Sequence, residues 1–182
     1  KSVKEPSLSQ MTEKALQVLS KNPKGFFLMV EAGRIDHAHH VGNAYNALSD
    51  TIELSKAVEV ALEQTDAKDT LIIVTADHSH VFTMAGYPKR GNPIMGKVVS
   101  LGDTKPQLAD DNLPYTTLGY TNGIGHRHLG SETDADKGYN EQGASGRANL
   151  NQVDTTQSGF FQESLVPLES ETHSGEDVPI YA

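Results

Sequence analysis

The chain has 182 residues, 36% hydrophobic and 21% charged, a composition that suits a folded core rather than a disordered segment. A net charge of -9 with no basic block argues against a nucleic-acid-binding role, and no apolar run approaches the roughly 18 residues of a membrane span. The lack of Cys excludes disulfides and thiolate metal ligands, and a chain that opens on Lys1 rather than Met leaves room for a leader or a larger N-terminal part upstream.

"PSLSQMTEKALQVLS" reads as a helix. Ser7 suits the N-cap, and Leu8, Met11, Ala15, Leu16 and Leu19 form an apolar stripe before "NPKG" breaks the pattern. "FFLMVE" is too short for a helix and continuously apolar, which predicts a buried strand. The stretch from Ala44 to Gln64 is helical, with Leu48, Ile52, Ala57, Val60 and Ala61 on its inner face. Thr70–Thr75 is a second buried strand, almost entirely β-branched or Leu. Strand, helix, strand is the βαβ unit of a parallel sheet, so the fold class is α/β.

That arrangement has a chemical consequence. Sites in open parallel sheets gather beyond the carboxyl ends of the strands, and a right-handed crossover puts both ends on one rim. Glu31 ends the first strand and Asp77 and His78 end the second, so clusters 46 residues apart can meet.

The character of the chain changes from Ala85 to Leu165, which holds 12 of the 16 Gly, many turn signals and no long periodic segment. This stretch reads as an inserted Gly-rich subdomain, residues 85–165, between a core portion at 1–84 and a return to the core at 166–182.

Five of the eight His fall in "DHAHH" and "DHSH", each directly after a predicted strand. Imidazole with carboxylate and no thiol is the ligand set of a catalytic zinc or a related divalent ion. Asp36 and His40, four apart, share a face if the segment is helical, and Glu31 stands where it can face another ion. Asp77 and His78 follow a central strand, where a carboxylate is costly unless paired or ligated. The bland alternatives are a hydrogen-bonded polar turn for the first cluster and structural capping for the second. His80 can ligate, or hold a ligating carboxylate from behind. His37 and His39 read as peripheral; His126 and His128 form an H-x-H pair that suits a metal but reads more simply as a surface loop, and Arg34 suits a phosphate contact but reads more simply as a bridge between carboxylates. His173 gains support only from the need of a catalytic zinc for a third protein ligand. The residues alone leave phosphatase, sulfatase and phosphomutase indistinguishable.

"MVEAGRIDHAHHVGNAYNALSDTIELSKAV", "LIIVTADHSHVFTMAGYPKRGNPIMG" and "LESETHSGEDVPIYA" together resemble the C-terminal part of the alkaline phosphatases, in the family's order. The resemblance spans nearly the whole chain and is loosest in the Gly-rich middle. It implies a three-layer α/β sandwich around a largely parallel sheet, incomplete in this chain. It implies a zinc- and magnesium-dependent phosphate-monoester hydrolase acting through a phosphoserine, with two Zn2+ and one Mg2+ per complete site. Asp36, His40 and His173 would hold the first zinc, Asp77 and His78 would contribute to the second, and Glu31 would hold magnesium. His80 would lie beside the first zinc's carboxylate without touching the ion.

The resemblance further implies a homodimer, with the inserted subdomain at its interface, and a periplasmic or extracellular location. The family's nucleophilic Ser and phosphate-binding Arg match nothing here. Their absence implies a partner in the missing N-terminal portion of the same protein, without which the sheet shows an open edge and an uncovered apolar face. The competing reading of the isolated chain is a non-catalytic metal-binding or assembly fragment.

Overall fold

The computed structural model describes residues 5–139, 141–144 and 146–182. The first predicted helix forms as α1 (Leu8–Leu19). Its capping box is complete: the Gln10 amide donates to Ser7 Oγ at 3.3 Å and the Ser7 amide donates back to Gln10 Oε1 at 3.0 Å. A second helix, α2 (Arg34–His40), carries the first His cluster, and α3 (Ala44–Gln64) follows after a tight reversal. Gly42 makes that reversal at φ +75°, a conformation costly for other residues, while its amide donates to the His39 carbonyl at 2.7 Å. Asn43 then caps α3, its side chain accepting from the Asn46 amide at 2.9 Å.

Helix α3 buries Ala44, Ala47 and Ala57, small side chains that admit close neighbours. Ala44 packs with Met95 and Leu118. Ile52, expected on the inner face, is exposed, because it lies off the line that runs through Ala44, Ala47 and Ala57.

Helices α1 and α3 pack on each other and are tied by Glu53. The Ser9 hydroxyl and amide both donate to Glu53 Oε1, at 2.7 and 3.2 Å. The Ser9 hydroxyl, then the Ser9 amide, pull the Glu53 pKa down to about 2. A carboxyl whose folded pKa is depressed adds stability above its unfolded value, near 4.5, and loses it as pH falls towards 2. Ser9→Ala should therefore cost roughly 1 kcal/mol at neutral pH. Amide exchange in α1, corrected for intrinsic rate, should be several-fold faster than in the parent at pH 7, and the difference should narrow below about pH 4. A difference that persists unchanged at pH 3 would show that Glu53 is not the cause.

The predicted βαβ unit is not closed within this chain. Neither Phe26–Glu31 nor Thr70–Thr75 enters a ladder, and the one bridge in either is antiparallel, Val74 with Tyr181. A strand needs a neighbour about 4.8 Å away, and beyond that single bridge the described residues place none along either run. The alternation of a one-sided strand is nonetheless present. Leu28, Val30, Ile72 and Val74 are half-buried, whereas Phe27, Met29, Leu71 and Ile73 are exposed. Residues 28–31 line a shallow hollow with Leu8, Met11, Thr12 and Ala15 of α1, so one face is covered and the other is open.

The ladders that do form lie elsewhere. Strand β1 (Ser79–His80) pairs antiparallel with β7 (His173–Ser174), His80 opposite His173. Strand β2 (Phe82–Met84) pairs antiparallel with β3 (Leu118–Gly123), which pairs parallel with β6 (Ser164–Pro167). Strand β4 (Arg127–His128) pairs antiparallel with β5 (Phe160–Phe161), and a single turn, α4 (Ala135–Gly138), lies between them in sequence. The result is a mixed α/β structure.

The Gly-rich middle packs into this core. It supplies buried Val98, Leu118, Tyr120, Leu150, Phe160 and Phe161, and Phe161 lies against Val41 at the end of α2. Ladder β3–β6 runs across residue 165, so pairing is continuous over that boundary.

Candidate metal centre

Helix α2 lets Asp36 and His40 meet as their spacing predicts: His40 Nε2 lies 3.2 Å from Asp36 Oδ1. The β1–β7 register brings His80 and His173 to the same oxygen, their Nε2 atoms 3.2 and 3.3 Å away. His78 Nε2 stands at 3.9 Å from Asp36 Oδ1 and 3.4 Å from Asp77 Oδ2, between the two carboxylates. Three segments far apart in sequence thus converge on one atom. The imidazoles crowd each other: His78 and His173 stack with centroids 3.4 Å apart, and the Nε2 atoms of His40 and His173 are 3.2 Å apart.

Asp36 Oδ1 is buried, yet among the described residues it has no hydrogen-bond partner. A carboxylate oxygen ringed by imidazole nitrogens and bonded to none of them fits a divalent cation better than a proton network. With nitrogen and oxygen donors and no thiol, the set suits zinc.

The other expected residues sit around this centre. The Asp77 side chain is exposed at the rim, and its Oδ1 accepts from the His78 amide at 3.2 Å. Glu31 is exposed and lies outside the group around Asp36; its carboxylate folds over the start of α2, where a Cβ on Gly33 would come within 3.3 Å of its Oε1. Ser79 Oγ donates to Glu176 at 2.7 Å. Arg34 forms a fork on Asp136, at 2.9 and 3.3 Å, which raises its pKa and matches the bridging role read from the sequence.

His37 Nδ1 stands 3.0 Å from Arg34. His39 stacks on His80 at 4.5 Å, and its Nδ1 lies 2.8 Å from the Tyr120 hydroxyl. Burial, then the neighbouring His80, lowers the His39 pKa to about 3, so this ring is neutral. His126 donates through Nδ1 to the Phe161 carbonyl at 2.9 Å, and neither it nor exposed His128 joins a metal-competent group among the described residues.

Sequence reasoning missed Glu171. Its carboxylate is fully buried and accepts from His80 Nδ1 at 2.7 Å and from the Val81 amide at 2.8 Å. Its main chain grips His40: the Glu171 amide donates to the His40 carbonyl at 2.9 Å, and His40 Nδ1 donates to the Glu171 carbonyl at 2.7 Å. The available signal was a Glu two residues before His173 in "ETHSGED".

A mixed α/β fold that gathers imidazoles around one buried carboxylate oxygen has the form of a metalloenzyme site. The chain belongs to the alkaline phosphatase family, whose model matches residues 1–182. It is similar to the tissue-nonspecific alkaline phosphatase isozymes of Felis catus, 46% identical over 181 residues, and Homo sapiens, 45% over 180. It is also 40% identical over 178 residues to the alkaline phosphatase of Gadus morhua. The alignments cover 100%, 99% and 98% of this chain but 31%, 30% and 33% of those relatives, so the chain spans about a third of the length of the curated relatives it matches.

Proposed function

We propose that the complete protein hydrolyses phosphate monoesters and that these residues hold its metal ions. The observation that carries the reading is the convergence of His40, His78, His80 and His173 on the orphaned Asp36 oxygen. Asp36, His40 and His173 would hold one zinc, Asp77 and His78 would contribute to a second, and Glu31 would hold magnesium. When bound, such ions supply Lewis-acid charge for the phosphoryl oxygens and a strong oxygen nucleophile at neutral pH. The chain's own part is to present the ligands. Helix α2 fixes the angle between Asp36 and His40, and the β1–β7 pairing sets His173 opposite His80, with its Nε2 3.3 Å from Asp36 Oδ1 and 3.2 Å from His40 Nε2.

The nucleophilic Ser and the phosphate-binding Arg would come from the N-terminal portion of the complete protein. Ser79 and Arg34 are both engaged with carboxylates, which speaks against either filling those roles. The same portion would supply the neighbours of Phe26–Glu31 and Thr70–Thr75 and cover exposed Phe27, Met29, Leu71 and Ile73, completing a three-layer sandwich. Residues 85–165 would form the inserted subdomain at a homodimer interface. The protein would act in the periplasm or outside the cell, and no helix among the described residues is long and apolar enough to cross a membrane.

Two assays test this. The full-length protein should hydrolyse an aryl phosphate far faster than an aryl sulfate, and should lose that activity when zinc is chelated and regain it when zinc is returned. A sulfate preference, or indifference to zinc removal, would overturn the reading. The isolated 182 residues should show no turnover above a Glu31, Asp36 and Asp77 triple-knockout background. Zinc-dependent turnover by this piece would show that the nucleophile lies within it.

A further inference from the structure

Glu171 is the least exposed charged side chain near the candidate centre, fully buried, while His80 beside it is 8% exposed. A lone buried carboxylate is costly, so its partners define its work. Both oxygens are used. Oε2 accepts from His80 Nδ1 at 2.7 Å, and Oε1 accepts from the Val81 amide at 2.8 Å. These bonds fix the His80 ring about its own axis and commit the Nδ1 proton to Glu171, with Nε2 held 3.2 Å from Asp36 Oδ1 but not hydrogen-bonded to it.

His40, His80 and Glu171 also meet the spacing of a second metal group. Glu171 Oε2 lies 2.7 Å from His80 Nδ1 and 3.6 Å from His40 Nδ1. His80 Nδ1 is bound to the carboxylate, and His40 Nδ1 is bound to the Glu171 carbonyl at 2.7 Å. This group is a hydrogen-bonded anchor rather than an ion cage.

We propose that Glu171 is a positioning residue whose carboxylate acts through His80 to hold the zinc-binding set around Asp36 in register. The inference rests on the metal reading given above. The division of labour within Glu171 makes it specific. His40 is hydrogen-bonded by the Glu171 main chain, which survives substitution, with the carboxylate 3.6 Å from its Nδ1, whereas the only Glu171 group that reaches the His80 ring is the carboxylate. In Glu171→Gln a single amide oxygen replaces the two carboxylate oxygens, so the donor NH2 group must face either the Val81 amide or His80 Nδ1. Either the backbone donor loses its acceptor, or the His80 ring takes the other tautomer and reverses the character of Nε2.

Zinc affinity, measured in the full-length protein by competition with a chromophoric chelator, provides the test, with the ligand-field spectrum of the cobalt-substituted protein beside it. Glu171→Gln should weaken zinc binding by about 10- to 100-fold and alter the cobalt spectrum. In a His80→Ala background the same substitution should add less than about 3-fold, because its target is gone. Equal affinity and an unchanged spectrum in Glu171→Gln would overturn the proposal, as would full additivity with His80→Ala, which marks a general structural defect. If Glu171→Gln does not fold, Glu171→Asp replaces it. A shortened carboxylate cannot span both donors, so a comparable loss supports the proposal and parent-like affinity overturns it. Failure of the parent protein to bind zinc would instead overturn the metal reading itself.

Discussion

In the full-length protein, His173→Ala is expected to lower turnover of an aryl phosphate by at least about 100-fold and to weaken zinc binding, with secondary structure unchanged. His173 is 133 residues from His40, yet their Nε2 atoms are 3.2 Å apart, and both face Asp36 Oδ1. Its side chain is 48% exposed, so removing it should open little of the core. Its effect should be strongly non-additive with that of Asp36→Ala, because residues that serve one ion do not act independently. His37→Ala should be far milder, since His37 turns to Arg34 instead. Normal zinc content and turnover in His173→Ala, or a defect that simply adds to that of Asp36→Ala, would remove His173 from the centre and leave His80 to close it.

The largest effect on stability is expected at Arg127, which is 6% exposed and donates to three carbonyls. Nε reaches Gly138 at 3.1 Å, Nη1 reaches Gly125 at 3.0 Å and Nη2 reaches Val41 at 2.7 Å, with the guanidinium carbon 3.9 Å from the centre of the Phe161 ring. Burial lowers its pKa to about 10, so it stays charged at neutral pH. This one side chain ties the end of α2 to β4, β5 and α4. Arg127→Ala would strand three carbonyl oxygens and cost about 3–5 kcal/mol. Arg127→Lys should recover less than half of that loss, because a single ammonium cannot reproduce the planar fork. Thermal unfolding of the full-length protein should shift down by several degrees for both variants, more for Ala. A shift below one degree for Arg127→Ala would mean that Val41 and Gly138 are held by other contacts.

The parts of this structure legible in the sequence are those written locally. Ser7 and Asn43 announce the starts of α1 and α3, and the spacing of Asp36 and His40 announces a shared helical face. The meeting of "DHAHH" with "DHSH" was also legible, but the route differs from the one reasoned. A parallel βαβ unit predicts that they meet on one rim; within this chain the antiparallel β1–β7 pair joins "DHSH" to His173, and "DHAHH" meets them at Asp36 Oδ1 and through the His40–Glu171 main-chain bonds. Strand-like runs such as Phe26–Glu31 carry their alternation in the side chains, but among the described residues no ladder forms along them. Glu171 and Arg127 escaped for another reason. A Glu in "ETHSGED" and an Arg in "GHRHLG" look like solvated loop residues, and their importance arises from partners 91 and 86 residues away in sequence. Burial of a charge by long-range packing leaves no local periodicity to read.

The most direct test is an anomalous-difference map, recorded at the zinc edge, from crystals of the full-length protein. A zinc peak is expected about 2.0–2.2 Å from a carboxylate oxygen of Asp36 and from Nε2 of both His40 and His173, with a second peak near Asp77 and His78. An active, zinc-containing protein with no peak at Asp36, or with its zinc confined to His126 and His128, would contradict the account.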